Sequence, residues 1–430
     1  MNMSEQPDNY STNWSSPRKF LFLLIVLYTV LYIFPFPFDA LPHSGFIFNH
    51  YESLIDRLIN FVGKHVLHIT GFRKELFSDS GDTAFDYVKI FTYFILAILT
   101  SILLFIVTNK KINYEKVNYW FFIFLRYTIG FYMLVYGFDK VFKSHFPFPN
   151  LEKIEQTFGE SSPQGLLWAF MGYSTTYSTF LGIIEVVSGG LLLFRKTTAF
   201  GGLLVLMIMV NVVLINFSYD VPVKLFAMHI VFFTFLIICP NLKSIVHFFF
   251  LNKEAKLSGQ VPPPVPKLIS GYKKIIKTVI ISGFSIVFMN FSITNMRTDG
   301  DNAPKPALYG IYKTEVFKLN TDTILPLATN STRWKEIIFD TKNTVIKSMT
   351  NSIMYYDTKA DSIGKIISFT SNLDPRQKFQ MNYKEGNNYL ILDGKQKNNL
   401  FYIKLKKVDI SKCPLINRKF QWVVEYPFNN

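Results

Sequence analysis

The sequence predicts an α-helical multi-pass membrane bundle of about seven spans, followed by a C-terminal all-β domain, a small barrel or sandwich. Three observations carry this prediction. Apolar runs of about 20 residues recur through the first 300 positions. Lys and Arg concentrate in alternate connections between those runs. Beyond residue 303 the pattern changes to short alternating segments separated by turn residues. Composition agrees: 49% of the 430 residues are hydrophobic and 45 are Phe, with a mean hydropathy of +0.21.

The candidate spans are 20–36, 87–107, 119–138, 177–194, 198–217, 221–239 and 275–291, with a shorter apolar piece at 165–172 before the fourth. Lipid offers no hydrogen bonds, so each span must be helical. Arg18 and Lys19 precede the first, and no small-residue cleavage site follows it, so it reads as a retained span. The loop after it carries Tyr51, Leu54, Ile55, Leu58 and Val62 at helical spacing. That predicts an amphipathic helix, lying on the bilayer surface or packed on the spans. His65 and His68 stand in the same loop, but no carboxylate or Cys accompanies them at zinc-like spacing, so no metal site is expected.

Lys110, Lys111, Lys116, Arg195, Lys196 and a run from Lys243 to Lys274 fall on the same side as Arg18 and Lys19. Acids including Asp39, Glu52, Asp56, Asp79 and Asp82 gather on the other. The positive-inside rule then puts the N-terminus in the cytoplasm and the tail outside, as in a bacterial inner-membrane protein with a periplasmic domain. The Pro-rich stretch 261–266 predicts a stiff linker before the last span. In the tail, 309–319, 334–339, 344–349, 353–357, 365–370, 378–383, 389–393 and 400–406 read as strands. Glu385-Gly386-Asn387-Asn388 and Asp393-Gly394 read as turns between them. The opening Tyr309-Gly310-Ile311-Tyr312 resembles the first strand of lipocalin-like barrels.

The tail carries 20 Lys+Arg against 11 Asp+Glu, a large share of the chain's net +15. Its excess follows a run of membrane spans and lacks a basic helix with polar readers, so nucleic-acid binding is not expected. Cys239 and Cys413 lie too far apart in pattern to suggest a disulfide, and two cysteines exclude a thiol relay, a Cys-ligated cluster and a Cys-rich zinc site.

Charged groups within spans are costly and mark an interior or a site. Arg126, Glu185 and His229 stand about 7, 9 and 10 residues from the inner ends of their spans, or ~10–15 Å deep at 1.5 Å per residue. A common level would allow an Arg126–Glu185 pair with a neutral His229 beside it. Two uses remain open: an ion pair that fixes helix packing, and a polar pocket that receives a quinone headgroup. A solute path is a third. Tyr136, Asp139, Lys140, Lys143, Asp220 and Lys224 form a second group, snorkelling to headgroups or lining an outer mouth. Pro222 fits the first turn of the sixth span.

These residues resemble the DoxX-like family of small bundled membrane proteins. The resemblance is carried by Arg126-Tyr-Thr-Ile-Gly130, Tyr136-Gly137-Phe-Asp-Lys140, Ser162-Pro163, Met171-Gly172-Tyr-Ser174, Phe180-Leu-Gly-Ile-Ile-Glu185, Ser188-Gly-Gly190 and Asn216-Phe-Ser-Tyr-Asp-Val-Pro-Val-Lys224. It covers about 119–239. A larger form of the family, with extra spans and a basic β tail ending in a segment such as Gln421-Trp422-Val-Val-Glu425-Tyr-Pro-Phe428, is similar to the whole chain. The domains expected are 1–118 (first spans and outer loop), 119–251 (a DoxX-like four-helix core), 252–302 (linker and last span) and 303–430 (β-rich domain). The resemblance implies Arg126, Lys140 and Glu185 as functional residues and a link to quinone-coupled membrane redox complexes. The expected function is therefore a quinone-interacting subunit with no intrinsic cofactor. The alternatives are a non-enzymatic scaffold whose outer basic domain docks a partner, and a small-solute transporter. Membrane lipid and a protein on the outer face are the expected partners.

Overall fold

The computed structural model describes residues 14–40, 43–69, 72, 80–108, 112–257, 267–396, 399–418 and 421–426. Asp79, Lys110, Lys111, the 261–266 linker and Phe428 lie outside the described residues. The chain divides into two compact units, Met1–Phe138 with Phe180–Asn290, and Asp139–Thr179 with Phe291–Asn430. The segment 139–179, expected within the helical core, thus groups with the β-rich tail.

The helices are α1 (Ser16–Ile33), α2 (Gly45–Phe61), α3 (Ala84–Thr108), α4 (Tyr114–Val141), α5 (Leu151–Glu155), α6 (Pro163–Tyr173), α7 (Thr175–Leu193), α8 (Thr198–Ser218), α9 (Lys224–Ile238), α10 (Leu242–Phe249), α11 (Lys267–Thr298) and α12 (Pro414–Asn417). Among the described residues, seven segments are long and apolar enough to cross a membrane: α1, α3, α4, α7, α8, α9 with α10, and α11. This is a membrane protein, a helical bundle joined to a β-barrel. Outward apolar side chains such as Ile106 (76% exposed) and Met207 (72%) are those of helices solvated by lipid.

In the helical unit, α1 stops at Ile33, three residues before the expected end, because Pro35 and Pro37 disfavour helical backbone before them. Leu125, Ile129, Val205 and Phe233, all fully buried, centre its core. Gly130 and Gly137 of α4 face Gly189 and Gly182 of α7: a Cβ on Gly189 would stand 2.7 Å from Gly130 O, and one on Gly137 would stand 2.9 Å from Gly182 O. Small residues let these two backbones approach closely. They also fix an antiparallel register. Ile55, Ile59 and Val62 of and beside α2 pack on Phe72, Phe85 and Val88, so this helix is packed on a neighbour, while Leu54 on its other side is 64% exposed. The α9 helix begins at Lys224, two residues after Pro222, so the proline precedes the first turn instead of occupying it.

The β strands are β1 (Gly310–Leu319), β2 (Asp322–Thr323), β3 (Trp334–Phe339), β4 (Thr344–Ser348), β5 (Ile353–Asp361), β6 (Ile366–Ser371), β7 (Lys378–Glu385), β8 (Tyr389–Gln396) and β9 (Asn399–Lys407). All pairings are antiparallel, and β1 closes on β9 from Tyr312↔Lys407 to Leu319↔Phe401. Eight strands form the barrel, with β2 a short hairpin return on β1. Period-two burial is plainest in β7, where Phe379, Met381 and Tyr383 point in and Lys378, Gln380, Asn382 and Lys384 point out. Asp393-Gly394, expected as a turn, lies inside β8. A Cβ on Gly394 would stand 2.8 Å from Gln380 O and 3.0 Å from Met381 Cα, so here glycine serves a close approach by β7.

An eight-stranded barrel is just wide enough for side chains to fill it, and this one is filled. Tyr312, Phe317, Phe339, Phe369, Leu392 and Leu405 are buried in its interior, and Phe369 stacks on Phe379 at 4.6 Å. Arg333 plugs it, donating from Nη1 to Ile324 O (2.7 Å) and from Nη2 to Thr314 O (3.3 Å). Outside the barrel but within the same unit, α5 packs Leu151 against Ile311, Ile338 and Val345. Polar ties surround that contact: Glu155 to Lys313 (2.6 Å), Glu152 to the Tyr355 hydroxyl (2.8 Å) and Leu151 N to Asp340 (2.8 Å). The Glu155 carboxylate holds the Lys313 ammonium above its ordinary pKa. Burial, and then Glu155, raises the neighbouring Glu336.

Candidate functional site

The three intramembrane residues singled out in the sequence do not converge. In the register set by the paired glycines, Gly130 lies opposite Gly189 and Gly137 opposite Gly182. The level of Arg126 is therefore that of Leu193, and the level of Glu185 is that of Leu134. The two differ by eight residues, ~12 Å along the helices. Arg126 Nε donates to Leu192 O at 3.0 Å, and no ion pair joins Arg126 to Glu185. The expected pair is thereby corrected: Arg126 caps the C-terminal carbonyls of α7, where a cation also meets the negative end of the helix dipole. Glu185 is buried in the helical unit, 4% exposed.

His229 belongs to a different set of neighbours, drawn from α1. Its Nδ1 lies 2.7 Å from Leu225 O, an acceptor only, so Nδ1 carries the proton and donates. Its Nε2 then accepts from the Tyr28 hydroxyl at 2.6 Å. Its ring stacks on Tyr32 at 3.8 Å with planes 6° apart. A neutral imidazole with both nitrogens engaged ties α9 to α1. Sequence reading located His229 and missed both tyrosines, because the pairing spans about 200 positions.

Of the group expected at an outer mouth, Asp220 and Lys224 do meet, at 2.9 Å. The residue that organises them is Asp82. Its carboxylate accepts from Lys224 N (2.8 Å) and Leu225 N (2.9 Å) and lies 3.9 Å from Lys224 Nζ. It thus caps α9, whose own N-cap Val223 has no acceptor side chain. Tyr136 lies in the helical unit against Phe226. Asp139 and Lys140 belong to the other unit. There Asp139 accepts from Ser144 (2.8 Å) and Ser292 (2.6 Å), and the Lys140 carbonyl accepts from Ser178 (3.4 Å).

In that second unit Lys143 is buried, 4% exposed. Its Nζ donates to Gly172 O (2.7 Å) and pairs with Asp301 at 3.0 Å. His145 packs edge-on against Phe146 and beside Trp168, and burial, then Lys140, pushes its pKa down to about 3. A cavity of about 360 Å³ opens nearby, lined among others by Trp168, Lys153, Asp299, Asp301, Lys305 and Lys342. Its charges are largely matched already, Lys342 with Asp299 at 3.5 Å and Asp301 with Lys143. Among the described residues, no group of three or more His, Cys, Asp or Glu side chains stands ready to hold a metal ion. His65 and His68 are exposed.

No family model and no solved structure matches the chain. It is similar to an uncharacterized protein, YwoB, of Bacillus subtilis, with 36% identity over 99 residues. That alignment covers 23% of this chain and 62% of the relative.

Proposed function

We propose that this protein is a membrane-anchored docking subunit, its helical unit of DoxX-like type and its basic β-barrel held on the outer face to receive an acidic protein partner. The observation that supports this most is the barrel itself. Its interior is filled with aromatic and aliphatic side chains, so it has no lumen for a ligand, and its chemistry lies on its surface. Lys378, Lys384, Lys395 and Lys406 occupy exposed outward positions on three consecutive strands. Such a field steers an acidic surface and is weakened by salt. The test is chemical crosslinking in intact cells, comparing wild type with a variant carrying Lys→Gln at these four positions. A crosslinked species present with wild type and lost with the variant is expected, provided the variant melts at the wild-type temperature. Identical crosslinking by the two proteins removes the reading.

A second reading is favoured by one observation, the Tyr28–His229 hydrogen bond within the spans. The Tyr28 oxygen keeps a lone pair for the hydroxyl of a reduced quinone headgroup. Tyr32 already covers one face of the imidazole, so such a ring would meet Tyr28 at its edge. Lipid extracts of the purified protein should then contain stoichiometric quinone that is lost with Tyr28→Phe. Quinone-free extracts end this reading.

A further inference from the structure

Three cations gather at the C-terminal end of α7. Arg126 Nε donates to Leu192 O (3.0 Å), and Lys277 Nζ donates to the next carbonyl, Leu193 O (2.7 Å), while lying 4.3 Å over the Phe194 ring. Arg195 stands two residues beyond Leu193, exposed on the turn that follows α7. Among the described residues no Asp or Glu pairs with any of the three. The helix end supplies about half a negative charge. About two and a half positive charges are left over, which an anion would offset.

The surroundings define what fits. The α7 helix stops at Leu193, whereas α4 continues for twelve residues on the N-terminal side of Arg126 and α11 for ten on the N-terminal side of Lys277. At 1.5 Å per residue these two helices run ~18 and ~15 Å past the cations. Phe131 of α4 packs on Phe284 of α11 at 4.8 Å, so the two are neighbours. The turn after α7 therefore ends below the ends of two longer helices. Arg126 uses only Nε on the protein, which leaves the two terminal nitrogens of its planar guanidinium for a bidentate acceptor. Phe194, under Lys277, and Phe200, in the first turn of α8, are 53% and 58% exposed, as apolar groups facing acyl chains would be.

We propose that this recess binds the phosphodiester headgroup of one anionic phospholipid, held by Arg126, Arg195 and Lys277 with its chains along the exposed aromatic side chains. The test uses the full chain in nanodiscs of mixed phosphatidylglycerol and phosphatidylcholine, read by native mass spectrometry. Wild type should retain one phosphatidylglycerol. Each cation near a membrane surface contributes about 1 kcal/mol, so Arg195→Gln should weaken retention about 5-fold and Arg195→Gln/Lys277→Gln about 30-fold. The single variant lies on an exposed turn and guards against misfolding of the double. Inorganic phosphate at millimolar concentration should not displace the lipid. Equal retention by wild type and both variants, equal retention of phosphatidylcholine, or displacement by free phosphate each overturns the proposal.

Discussion

Lys143 and Asp301 illustrate what a single residue can be asked to do. The ammonium is buried against Gly172 O and Asp301, while the carboxylate is partly open to solvent. Lys143→Met should destabilise the fold by about 2–4 kcal/mol, and Lys143→Met/Asp301→Asn by less than the two single changes summed. Thermal melts arranged as a double-mutant cycle give the coupling, and simple additivity denies the pair. His145 supplies a pH dependence. Its pKa is about 3 in the fold and about 6.5 in an unfolded chain. Between those values only the unfolded chain binds the proton. Stability is therefore intact above pH 6.5 and falls with decreasing pH, by up to about 1.4 kcal/mol per unit, until pH 3. His145→Gln should flatten the melting temperature between pH 7 and pH 5 relative to wild type. An unchanged slope would show that the imidazole is protonated inside the fold. Nothing in the sequence flags His145, since one of the two rings it packs beside, Trp168, stands on a separate helix.

The elements were legible wherever one local pattern fixed them. Apolar runs of span length gave the seven crossing segments, and alternation gave the eight barrel strands. The misreadings share a cause. Depth counted from span ends takes all spans to begin at one level, yet α7 stops at the level of Arg126 while α4 runs on past it. That count puts Arg126 and Glu185 at one level, whereas close packing holds them two turns apart. Asp393-Gly394 carries turn chemistry, but the neighbouring strand's backbone decides its place. Asp82 is legible in the sequence only as one of the clustered acids, because the helix it caps lies about 140 positions away. The glycine seam between α4 and α7 offers a matched pair of substitutions. A Cβ on Gly189 meets Gly130 O at 2.7 Å, whereas a Cβ on Gly190 meets nothing within 4 Å. Gly189→Ala should cost about 1–3 kcal/mol through forced separation of the helices, and Gly190→Ala should be neutral or slightly stabilising. Melts of the two proteins in the same detergent distinguish them, and similar losses would argue against close packing at Gly189.

At the scale of the whole molecule, the fold class was the most readable property, since hydrophobic length and strand period are independent of distant contacts. Sidedness is a proposal from charge placement, and it has a direct check. Lys412, 83% exposed in its side chain, is changed to Cys in a chain whose Cys239 and Cys413 are replaced by Ser. A membrane-impermeant maleimide should label it in intact spheroplasts. Labelling that appears only after lysis places the barrel inside. The interleaved make-up of the β-containing unit has a further consequence, for biosynthesis. Leu151 leaves the ribosome roughly 250 residues ahead of β9, the strand that closes the barrel beside it. At 5–20 residues per second that interval is about 10–50 s. During it α5 has no barrel to rest on, and four further spans have yet to be inserted. Maturation of the β-containing unit is therefore clocked by completion of the helical unit, and a chain arrested before α11 would present bare Leu151 and Ile154 to quality control.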